Sequence, residues 1–228
     1  MKQAYVLVFD VDGTVSPMGR TMARSVSEGL FALEQAGHTI CFASGAPCHT
    51  LEGLMRGVGL ENAFVIGENG AVASTGFAQP PIYRMERPAH FDEMQRDLIA
   101  RFPGVYFQSN LVDVSAFHEQ PGMVDVMVEY LQSRGDMDRD DMTVFVHNDC
   151  VECVPAGAGK GAALHRLKEI YGWQTGRMIA VGDGPNDESM RAEVGEFFAI
   201  GDKLRGDINF ADIDGMMAYM LKRFAASY

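Results

Sequence analysis

Two carboxylates stand two residues apart at the end of a short apolar run near the start of the chain. The run is Tyr5–Phe9, and the residues after it are Asp10, Val11, Asp12 and Gly13. The first carboxylate could attack phosphorus and form an aspartyl phosphate, which splits one difficult hydrolysis into two easier steps. The second points to the same side and could protonate the leaving oxygen, then take a proton from the attacking water. An Asp-Gly pair between apolar residues is also typical of a hairpin turn.

Three further polar clusters follow predicted strands or open predicted helices. They are Ser44-Gly45 after the strand ICFA, Gly159-Lys160-Gly161 at a helix start, and Gly182–Asp187 after the strand MIAV. Ligands of an open parallel sheet bind at the carboxyl ends of its strands, so we expect these clusters to converge with Asp10. The hairpin alternative is disfavoured, because Pro17 and Gly19 follow where a second strand would lie.

Together the clusters supply what phosphoryl transfer needs. Several carboxylates around one anionic substrate would repel it, so a hard divalent cation must sit between them. Asp10, the backbone carbonyl of Asp12 and Asp183 offer oxygen ligands that suit octahedral Mg²⁺, with water and substrate completing the shell.

The phosphate group also needs hydrogen-bond donors and a cation. Ser44 and the N–H of Gly45 could donate to phosphate oxygens, and Lys160 could supply positive charge where negative charge spreads in the transition state. Each cluster alone has a simpler interpretation: Ser-Gly as a turn, Lys160 as a solvated surface lysine, and Gly182–Asp187 as a loop chosen for its backbone angles. Their combination along one chain favours a site.

The segments that must position these residues alternate between strand and helix patterns. Before residue 70 we predict strands at Tyr5–Phe9, His38–Ala43 and Ala63–Ile66, and helices at Thr21–Gln35 and Pro47–Arg56. In the last third we predict strands at Met178–Val181 and Phe197–Ile200, and helices at Gly161–Tyr171, Asp187–Glu193 and Gly215–Phe224. This alternation predicts an α/β fold with a Rossmann-like parallel-sheet core.

An insertion interrupts this pattern. Prolines at 80, 81 and 88 and glycines at 70 and 76 indicate a boundary near residues 80–88. We therefore expect a catalytic core formed by residues 1–83 and 156–228, and a smaller α+β cap domain formed by residues 84–155. Within the insertion we predict helices at Phe91–Arg101 and Met123–Ser133, and strands at Leu111–Phe117, Thr143–Val146 and Val151–Val154.

Composition narrows the classes of function. The chain has 228 residues, of which 47% are hydrophobic and 22% charged, and its formal net charge is −12. The acidic balance argues against a nucleic-acid backbone or an anionic membrane as the partner, but not against a small anionic ligand. The first apolar run is too short for a signal peptide, and no segment approaches the roughly 18 apolar residues of a membrane span. We expect a cytoplasmic monomer or homodimer.

The four cysteines are Cys41, Cys48, Cys150 and Cys153. The last two form CVEC, which has the spacing of a metal or redox motif. However, VHNDCVECVP looks like a strand, in which residues three apart point to opposite faces. We therefore expect reduced structural thiols.

In their order along the chain, DVDGT, the strand-ending Ser-Gly, the lysine after the insertion and GDGPND resemble the four motifs of the haloacid dehalogenase superfamily. The motifs span nearly the whole chain, and the set is highly specific. The insertion lies between the second and third motifs, as in the branch with an α/β cap (Cof-type, class IIB). VIGENGAV and GKGAALHRLKEIYG further resemble the short archaeal-type phosphoglycolate phosphatases.

The resemblance implies roles for the residues that match the motifs: Asp10 as nucleophile, Asp12 as acid and base, Asp183 as Mg²⁺ ligand, and Ser44 and Lys160 as phosphate binders. It also implies that Asn186 and Asp187 support the metal and the lysine, and we expect Asn186 at the phosphate and Asp187 at the metal. The second motif, FASGAP, lacks the arginine or asparagine that commonly follows Ser-Gly. The strand LVDVSAF lacks basic residues for a substrate carboxylate.

We therefore expect Mg²⁺-dependent hydrolysis of a small phosphorylated metabolite, phosphoglycolate or a sugar phosphate, through an aspartyl-phosphate intermediate. Asp12 argues against a dehalogenase, which needs no acid two residues after the nucleophile. The lack of apolar spans in the sequence argues against a transport ATPase. A phosphomutase-type phosphotransferase would use the same groups around the phosphate and stays open, as does a catalytically silent protein that binds a phosphate ligand.

Overall fold

The computed structural model describes residues 4–76 and 79–225. The chain forms two compact units: one is the part up to Ile82 together with the part from Gly159 onward, and the other is Tyr83–Ala158. The junctions therefore follow Ile82 and Ala158, whereas the boundaries expected from the sequence follow residues 83 and 155.

The described part of the chain contains twelve strands and six α-helices. The strands are β1 (Val6–Phe9), β2 (Thr39–Ala43), β3 (Ala63–Gly67), β4 (Val72–Ser74), β5 (Tyr83–Arg84), β6 (Tyr106–Phe107), β7 (Val114–Phe117), β8 (Met142–Val146), β9 (Cys150–Pro155), β10 (Met178–Gly182), β11 (Glu196–Ile200) and β12 (Ile208–Phe210). The helices are α1 (Arg24–Gln35), α2 (Cys48–Val58), α3 (His90–Arg101), α4 (Met123–Ser133), α5 (Lys160–Tyr171) and α6 (Ile213–Met220).

The first unit is built on a sheet with the strand order β12-β11-β10-β1-β2-β3-β4. The pairs from β12 to β3 are all parallel, and β3 pairs with β4 in the antiparallel sense. The central strand β1 is buried throughout, as expected when both faces of a parallel strand are covered. Phe9 on β1 is aligned with Phe42 on β2 and Val181 on β10. These strands therefore end at the same edge, in the α/β architecture that the sequence predicts.

Helices bury apolar stripes against this sheet. Helix α1 buries Val26, Leu30 and Leu33, which lie three and four residues apart on one helix face. Each fully buried leucine contributes roughly 1.5–3 kcal/mol relative to an exposed one. The helix begins at Arg24 rather than at the predicted Thr21, because Ala23 still has an extended backbone (φ −67°, ψ 145°).

The second unit is a four-stranded antiparallel sheet in the order β6-β7-β9-β8. One face of the sheet packs on α3 and α4 to form a separate apolar core. Its buried members include Phe91, Met94, Leu98, Val114, Ala116, Met127, Leu131, Val151 and Cys153. The unit therefore has a core of its own.

Most differences from the sequence-based elements involve short segments. Strands β4, β6 and β12 have two or three residues, too few for a periodic signal. The predicted helix over Asp187–Glu193 is part of a 3₁₀-helix, Pro185–Glu193, and the last helix ends in a π-helical turn, Leu221–Ala225. The strand predicted from Leu111 begins at Val114, after a bend. In the part of the chain described, no helix has the length and apolar character needed to cross a membrane.

Candidate active site

Asp10 lies at the carboxyl end of the central strand β1. Its backbone N–H donates to the carbonyl of Val181 on β10 at 3.0 Å, which extends the pairing of the two strands by one residue. The residue is only 6% exposed. Its carboxylate is therefore held at the edge of the sheet where ligands of open α/β sheets bind.

Lys160, the first residue of α5, bridges two of the predicted carboxylates. Its Nζ donates to Oδ1 of Asp10 at 2.7 Å and to Oδ1 of Asp187 at 2.6 Å. Burial by itself would lower the pKa of Lys160, but the negative charges of Asp10 and Asp187 outweigh burial and raise it. The lysine therefore carries a positive charge in a site where its side chain is 1% exposed.

Asp187 is fully buried and holds the loop that follows β10. Its Oδ2 accepts hydrogen bonds from the N–H groups of Asp183 and Gly184, both at 3.0 Å, while its Oδ1 binds Lys160. A Cβ at Gly182 would overlap the Asp187 side chain, so this carboxylate requires glycine at the end of β10. Both oxygens of Asp187 therefore bind protein groups.

Asp10 differs from Asp187 because one of its oxygens has no protein partner. Oδ1 binds Lys160, whereas Oδ2 is buried without a hydrogen-bond partner among the described residues. Burial raises the pKa of Asp10 to about 6; Lys160 opposes this rise and Asp187 adds to it. A buried carboxylate oxygen without a partner is costly unless a ligand satisfies it. The geometry therefore leaves Oδ2 available to a cation or to phosphorus.

Three carboxylates of the first unit could share a metal ion. Oxygens of Asp10, Asp183 and Asp187 lie within 4.8 Å of one another. Lys160 offsets one of their three charges, which leaves two for a divalent cation. Lys203 approaches Asp183 Oδ2 at 3.1 Å, but its side chain is 61% exposed, so water screens that charge. The all-oxygen donor set and the unpartnered Asp10 oxygen fit Mg²⁺.

Asp12 lies in the loop that follows β1. Its Oδ1 accepts a 3.4 Å hydrogen bond from the N–H of Gly19, so the carboxylate contacts its own loop rather than the Lys160 ion pairs. The next residue, Gly13, has φ +95°, and a Cβ there would overlap the carboxyl group of Asp183. The loop backbone therefore lies directly against a predicted metal ligand.

Ser44 and Gly45 follow β2, the strand beside β1. Ser44 is 4% exposed, its N–H donates to Ile66 at 2.9 Å, and its Oγ accepts from the N–H of Ala46 at 3.1 Å. The serine hydroxyl keeps its own hydrogen for an acceptor. Neighbouring strands are about 5 Å apart, so this turn stands one strand from Asp10.

Asn186 is placed apart from the ion pairs of Lys160. It is exposed near the start of the 3₁₀-helix, and its backbone carbonyl accepts from Ser189 Oγ at 3.2 Å. Ser189 Oγ in turn accepts from the N–H of Gly161 at 3.2 Å, which fixes the first turn of α5. In the residues that the structure describes, Lys160 pairs with the two aspartates and not with Asn186.

The sequence-based reasoning missed a strained loop beside residues that were predicted to bind phosphate. Glu68 (φ 54°), Asn69 (φ 50°) and Gly70 (φ +96°) are left-handed in succession, at a cost of roughly 1–2 kcal/mol for each residue other than glycine. The N–H of Asn69 donates to the Ser44 carbonyl at 3.2 Å. A Cβ at Gly70 would overlap the backbone of Gly159. The loop therefore joins the Ser44 turn to the start of α5, and the Asn-Gly pair was the available signal.

We expect Gly70→Ala to destabilise the first unit by roughly 2–4 kcal/mol, because it adds overlap with backbone to the left-handed strain. Gly172→Ala is the matched control, since Gly172 has φ +67° but open space around the Cβ position. Denaturant unfolding of both variants measures the difference. The loop would not require close packing at position 70 if the two substitutions had equal cost.

Comparison with known proteins identifies relatives of the chain. The family profile of haloacid dehalogenase-like hydrolases matches residues 7–86 and 105–213. HMP-PP phosphatases from Yersinia pseudotuberculosis serotype O:1b and from Yersinia pestis are each 25% identical, over 86% of this chain and 83% of theirs. A haloacid dehalogenase-like hydrolase from Bacteroides thetaiotaomicron superposes with a TM-score of 0.83 at 17% identity, over 97% of this chain and 100% of that one. The subclass IIB sugar phosphatase BT4131 gives 0.70 at 18%, over 97% and 99%.

The superpositions confirm the predicted fold class. The family match and the relatives confirm the prediction of a phosphatase and support the Cof-type branch. They do not support the closer resemblance to archaeal-type phosphoglycolate phosphatases. Because the profile matches most of the chain, including both parts of the first unit, the chain belongs to the haloacid dehalogenase-like hydrolase family.

Proposed function

We propose that this protein is a Mg²⁺-dependent phosphomonoesterase that hydrolyses a small phosphorylated metabolite through an aspartyl phosphate on Asp10. The observation that carries the proposal is that only one of the two Asp10 carboxylate oxygens has a hydrogen-bond partner. Oδ1 is fixed by Lys160 at 2.7 Å, and the buried Oδ2 has no partner. A carboxylate held in this way is oriented and poorly solvated, as a nucleophile toward phosphorus requires.

In the first step a carboxylate oxygen of Asp10 bonds to phosphorus while the bond from phosphorus to the leaving oxygen breaks. Asp12, protonated, gives its proton to that oxygen. In the second step Asp12 takes a proton from water as the water oxygen bonds to phosphorus. The acyl phosphate bond then breaks, which returns the Asp10 carboxylate and releases inorganic phosphate.

The metal would be held by Asp10, Asp183 and the backbone carbonyl of Asp12. Asp187 was expected among the ligands, and we assign it mainly to positioning, because its oxygens already bind Lys160 and the N–H groups of the loop. When bound, Mg²⁺ would neutralise substrate charge and polarise the phosphoryl group.

The phosphate would be held by four residues: Ser44, Gly45, Lys160 and Asn186. Ser44 and the N–H of Gly45 would donate to its oxygens, and Lys160 would stabilise their charge in the transition state. Asn186 is exposed and does not contact Lys160. It would therefore act in the site only by binding the phosphate directly.

The substrate class rests on the relatives and on residues of the insertion. Relatives are named for HMP-PP, and one structural neighbour is a sugar phosphatase. We place HMP-PP and sugar phosphates ahead of phosphoglycolate, because residues 111–117 contain no lysine or arginine for a substrate carboxylate. We also propose that residues 84–155 act as a cap domain that selects the leaving group, and that the enzyme is a cytoplasmic monomer or homodimer.

Release of inorganic phosphate from HMP-PP, sugar phosphates and phosphoglycolate tests the proposal. Activity should require Mg²⁺, vanish with EDTA and return when Mg²⁺ is restored; Ca²⁺ should support little turnover because its looser, larger shell misplaces the reacting groups. Full activity in EDTA would contradict the metal-dependent mechanism. Conversion of a sugar phosphate into its isomer without free phosphate would favour a phosphomutase, and binding without turnover would favour a silent phosphate-binding protein.

Asp12→Asn should separate the proton donor from the metal site. The substitution keeps the backbone carbonyl, so Mg²⁺ affinity should persist, while kcat/KM for an alkyl phosphate should fall by roughly 10²–10⁴-fold. The fall for p-nitrophenyl phosphate should be far smaller, because p-nitrophenolate leaves without a proton. Comparing kcat/KM values isolates the first step. Equal losses for both substrates, with Mg²⁺ binding intact, would remove Asp12 from the role of general acid.

A further inference from the structure

The hairpin between β8 and β9 brings together a histidine, a cysteine and a glutamate that the phosphatase proposal does not use. Val146 is aligned with Val151, and the N–H of His147 donates to the Cys150 carbonyl at 2.8 Å. His147 therefore stands opposite Cys150 across a turn of two residues. Directly opposed residues of an antiparallel pair share a face, and Glu152, two residues after Cys150, shares it too.

The same alternation separates the two cysteines of CVEC. Val151 and Cys153 belong to the apolar core under α3 and α4, so Cys150 and Glu152 lie on the opposite face of β9. The two cysteines of this C-x-x-C sequence therefore do not form a pair of ligands for one metal ion. The relevant pattern is His-x-x-Cys-x-Glu around the turn.

The three side chains are close enough to share one ion. His147 Nε2 lies 3.2 Å from Glu152 Oε2, and one ligand atom from each of the three residues lies within 4.8 Å of the others. Bonds of about 2.0–2.3 Å at tetrahedral angles place ligand atoms roughly 3.3–3.8 Å apart, so small rotamer adjustments suffice. Cys150 and Glu152 are 5% and 8% exposed, whereas the His147 side chain is 46% exposed and leaves an approach from solvent.

The charges around this cluster favour a cation. The carboxylates of Glu152 and Asp149 lie near the Cys150 sulfur and place their negative charge on it. The surroundings of the cluster are therefore electronegative.

We propose that His147, Cys150 and Glu152 form a zinc-binding site, in which water completes a tetrahedral shell. Sulfur, imidazole nitrogen and carboxylate oxygen together suit a borderline-soft ion such as Zn²⁺ and not Mg²⁺. Binding releases the thiol proton to solvent. Of the two candidate metal clusters found among residues 4–76 and 79–225, the Asp10, Asp183 and Asp187 group offers only oxygen. The two sites therefore differ in the metal that each would select.

The test is a Co²⁺ titration of the full-length protein after metal removal, with excess Mg²⁺ present to occupy the oxygen-only cluster. One equivalent of Co²⁺ should produce a thiolate-to-metal charge-transfer band and the intense visible bands of tetrahedral cobalt, and Zn²⁺ should displace both. Absence of the charge-transfer band in the wild-type protein would overturn the proposal and leave His147 and Glu152 as an ordinary ion pair.

Variants assign the signal to this cluster. Cys150→Ser should abolish the charge-transfer band, and His147→Gln should weaken Co²⁺ affinity at least about tenfold. His147→Gln should leave the unit folded, because the His147 side chain is half exposed. This variant therefore tests the site even if Cys150→Ser does not fold. Cys153→Ala removes a thiol from the opposite face of the same strand and should keep the band. A band that survives Cys150→Ser, or affinity unchanged in His147→Gln, would refute the site.

Discussion

Asp10→Asn should reduce turnover below detection without unfolding the protein. An amide oxygen is too weak a nucleophile to form an acyl phosphate, but it can still accept the hydrogen bond that Lys160 gives to Asp10 Oδ1 at 2.7 Å. The two side chains have nearly the same shape, so the packing at the end of β1 should persist. The measurement is phosphate release with Mg²⁺. The control is Asp214→Asn, at an exposed aspartate of the same unit, which should retain full activity.

The raised pKa of Asp10 determines whether Asp10→Asn raises or lowers the stability of the metal-free protein. Its folded-state pKa is about 6, above the ordinary value of 3.8. Such a group favours folding when protonated, and this contribution is lost as the pH rises through the folded-state pKa. Above about pH 7, ionised Asp10 therefore opposes folding relative to a neutral group. Asp10→Asn should preserve or raise Tm at about pH 8, and the gain should shrink toward pH 5.

Two results would contradict this interpretation. Measurable turnover by folded Asp10→Asn, above that of a blank preparation, would exclude Asp10 as the nucleophile. A large fall in Tm at about pH 8 would show that the negative charge of Asp10 stabilises the metal-free fold, and therefore that its ion pair with Lys160 outweighs its burial.

The positions of Asp10 and Ser44 could be predicted because parallel topology alone determines them. Each follows a buried strand, and the register aligns Phe9 with Phe42, so their loops emerge at the same edge. Lys160 could also be placed there, although 150 residues separate it from Asp10, because it opens the helix that begins where the core pattern resumes.

Features that depend on loop backbone could not be predicted in the same way. The motif resemblance implied that Asp187 supports the lysine, but its hydrogen bonds with two N–H groups arise only because the preceding loop turns back on it. No periodic pattern encodes that turn. Glu68 adopts a left-handed conformation that its residue type disfavours, so tertiary contacts decide it. Asn69, which is also left-handed, is of a type that tolerates this conformation.

The hairpin cluster shows a limit of spacing as a signal. CVEC has the spacing of a metal motif, but strand alternation sends Cys153 into the apolar core. The pairing of His147 with Cys150 depends instead on a turn of two residues. The strands predicted from the sequence, Thr143–Val146 and Val151–Val154, did not include this turn or the two residues that it pairs.

Lys160→Met should have the largest effect on stability. Methionine has a similar length but no charge, so Asp10 and Asp187, whose side chains are 8% and 1% exposed, would face each other without a cation. Removing one partner of a buried ion pair typically costs 3–5 kcal/mol, so we expect a loss of about that size. The change also removes a charge that would stabilise the transferring phosphoryl group. We therefore expect kcat to fall by at least roughly 10²–10³-fold.

Lys203→Met is the matched control. Lys203 also contacts a site carboxylate, Asp183 at 3.1 Å, but its side chain is 61% exposed whereas that of Lys160 is 1% exposed. Because exposed ion pairs contribute little, Lys203→Met should cost less than about 1 kcal/mol. Denaturant unfolding gives both values, and activity is compared at a temperature where circular dichroism shows both variants folded.

A double variant tests the electrostatic cause. If Lys160→Met acts by leaving carboxylates uncompensated, adding Asp187→Asn should restore part of the lost stability, because it removes one of the two charges. Asp187→Asn alone should destabilise the wild-type protein, since it weakens the partner of a buried lysine and an acceptor of two backbone N–H groups. Asp187→Asn should therefore lower stability in the wild-type protein and raise it in the Lys160→Met protein. Such a change of sign occurs only when the two residues are coupled. Additive losses, or equal losses in Lys160→Met and Lys203→Met, would mean that this ion pair does not hold the site together.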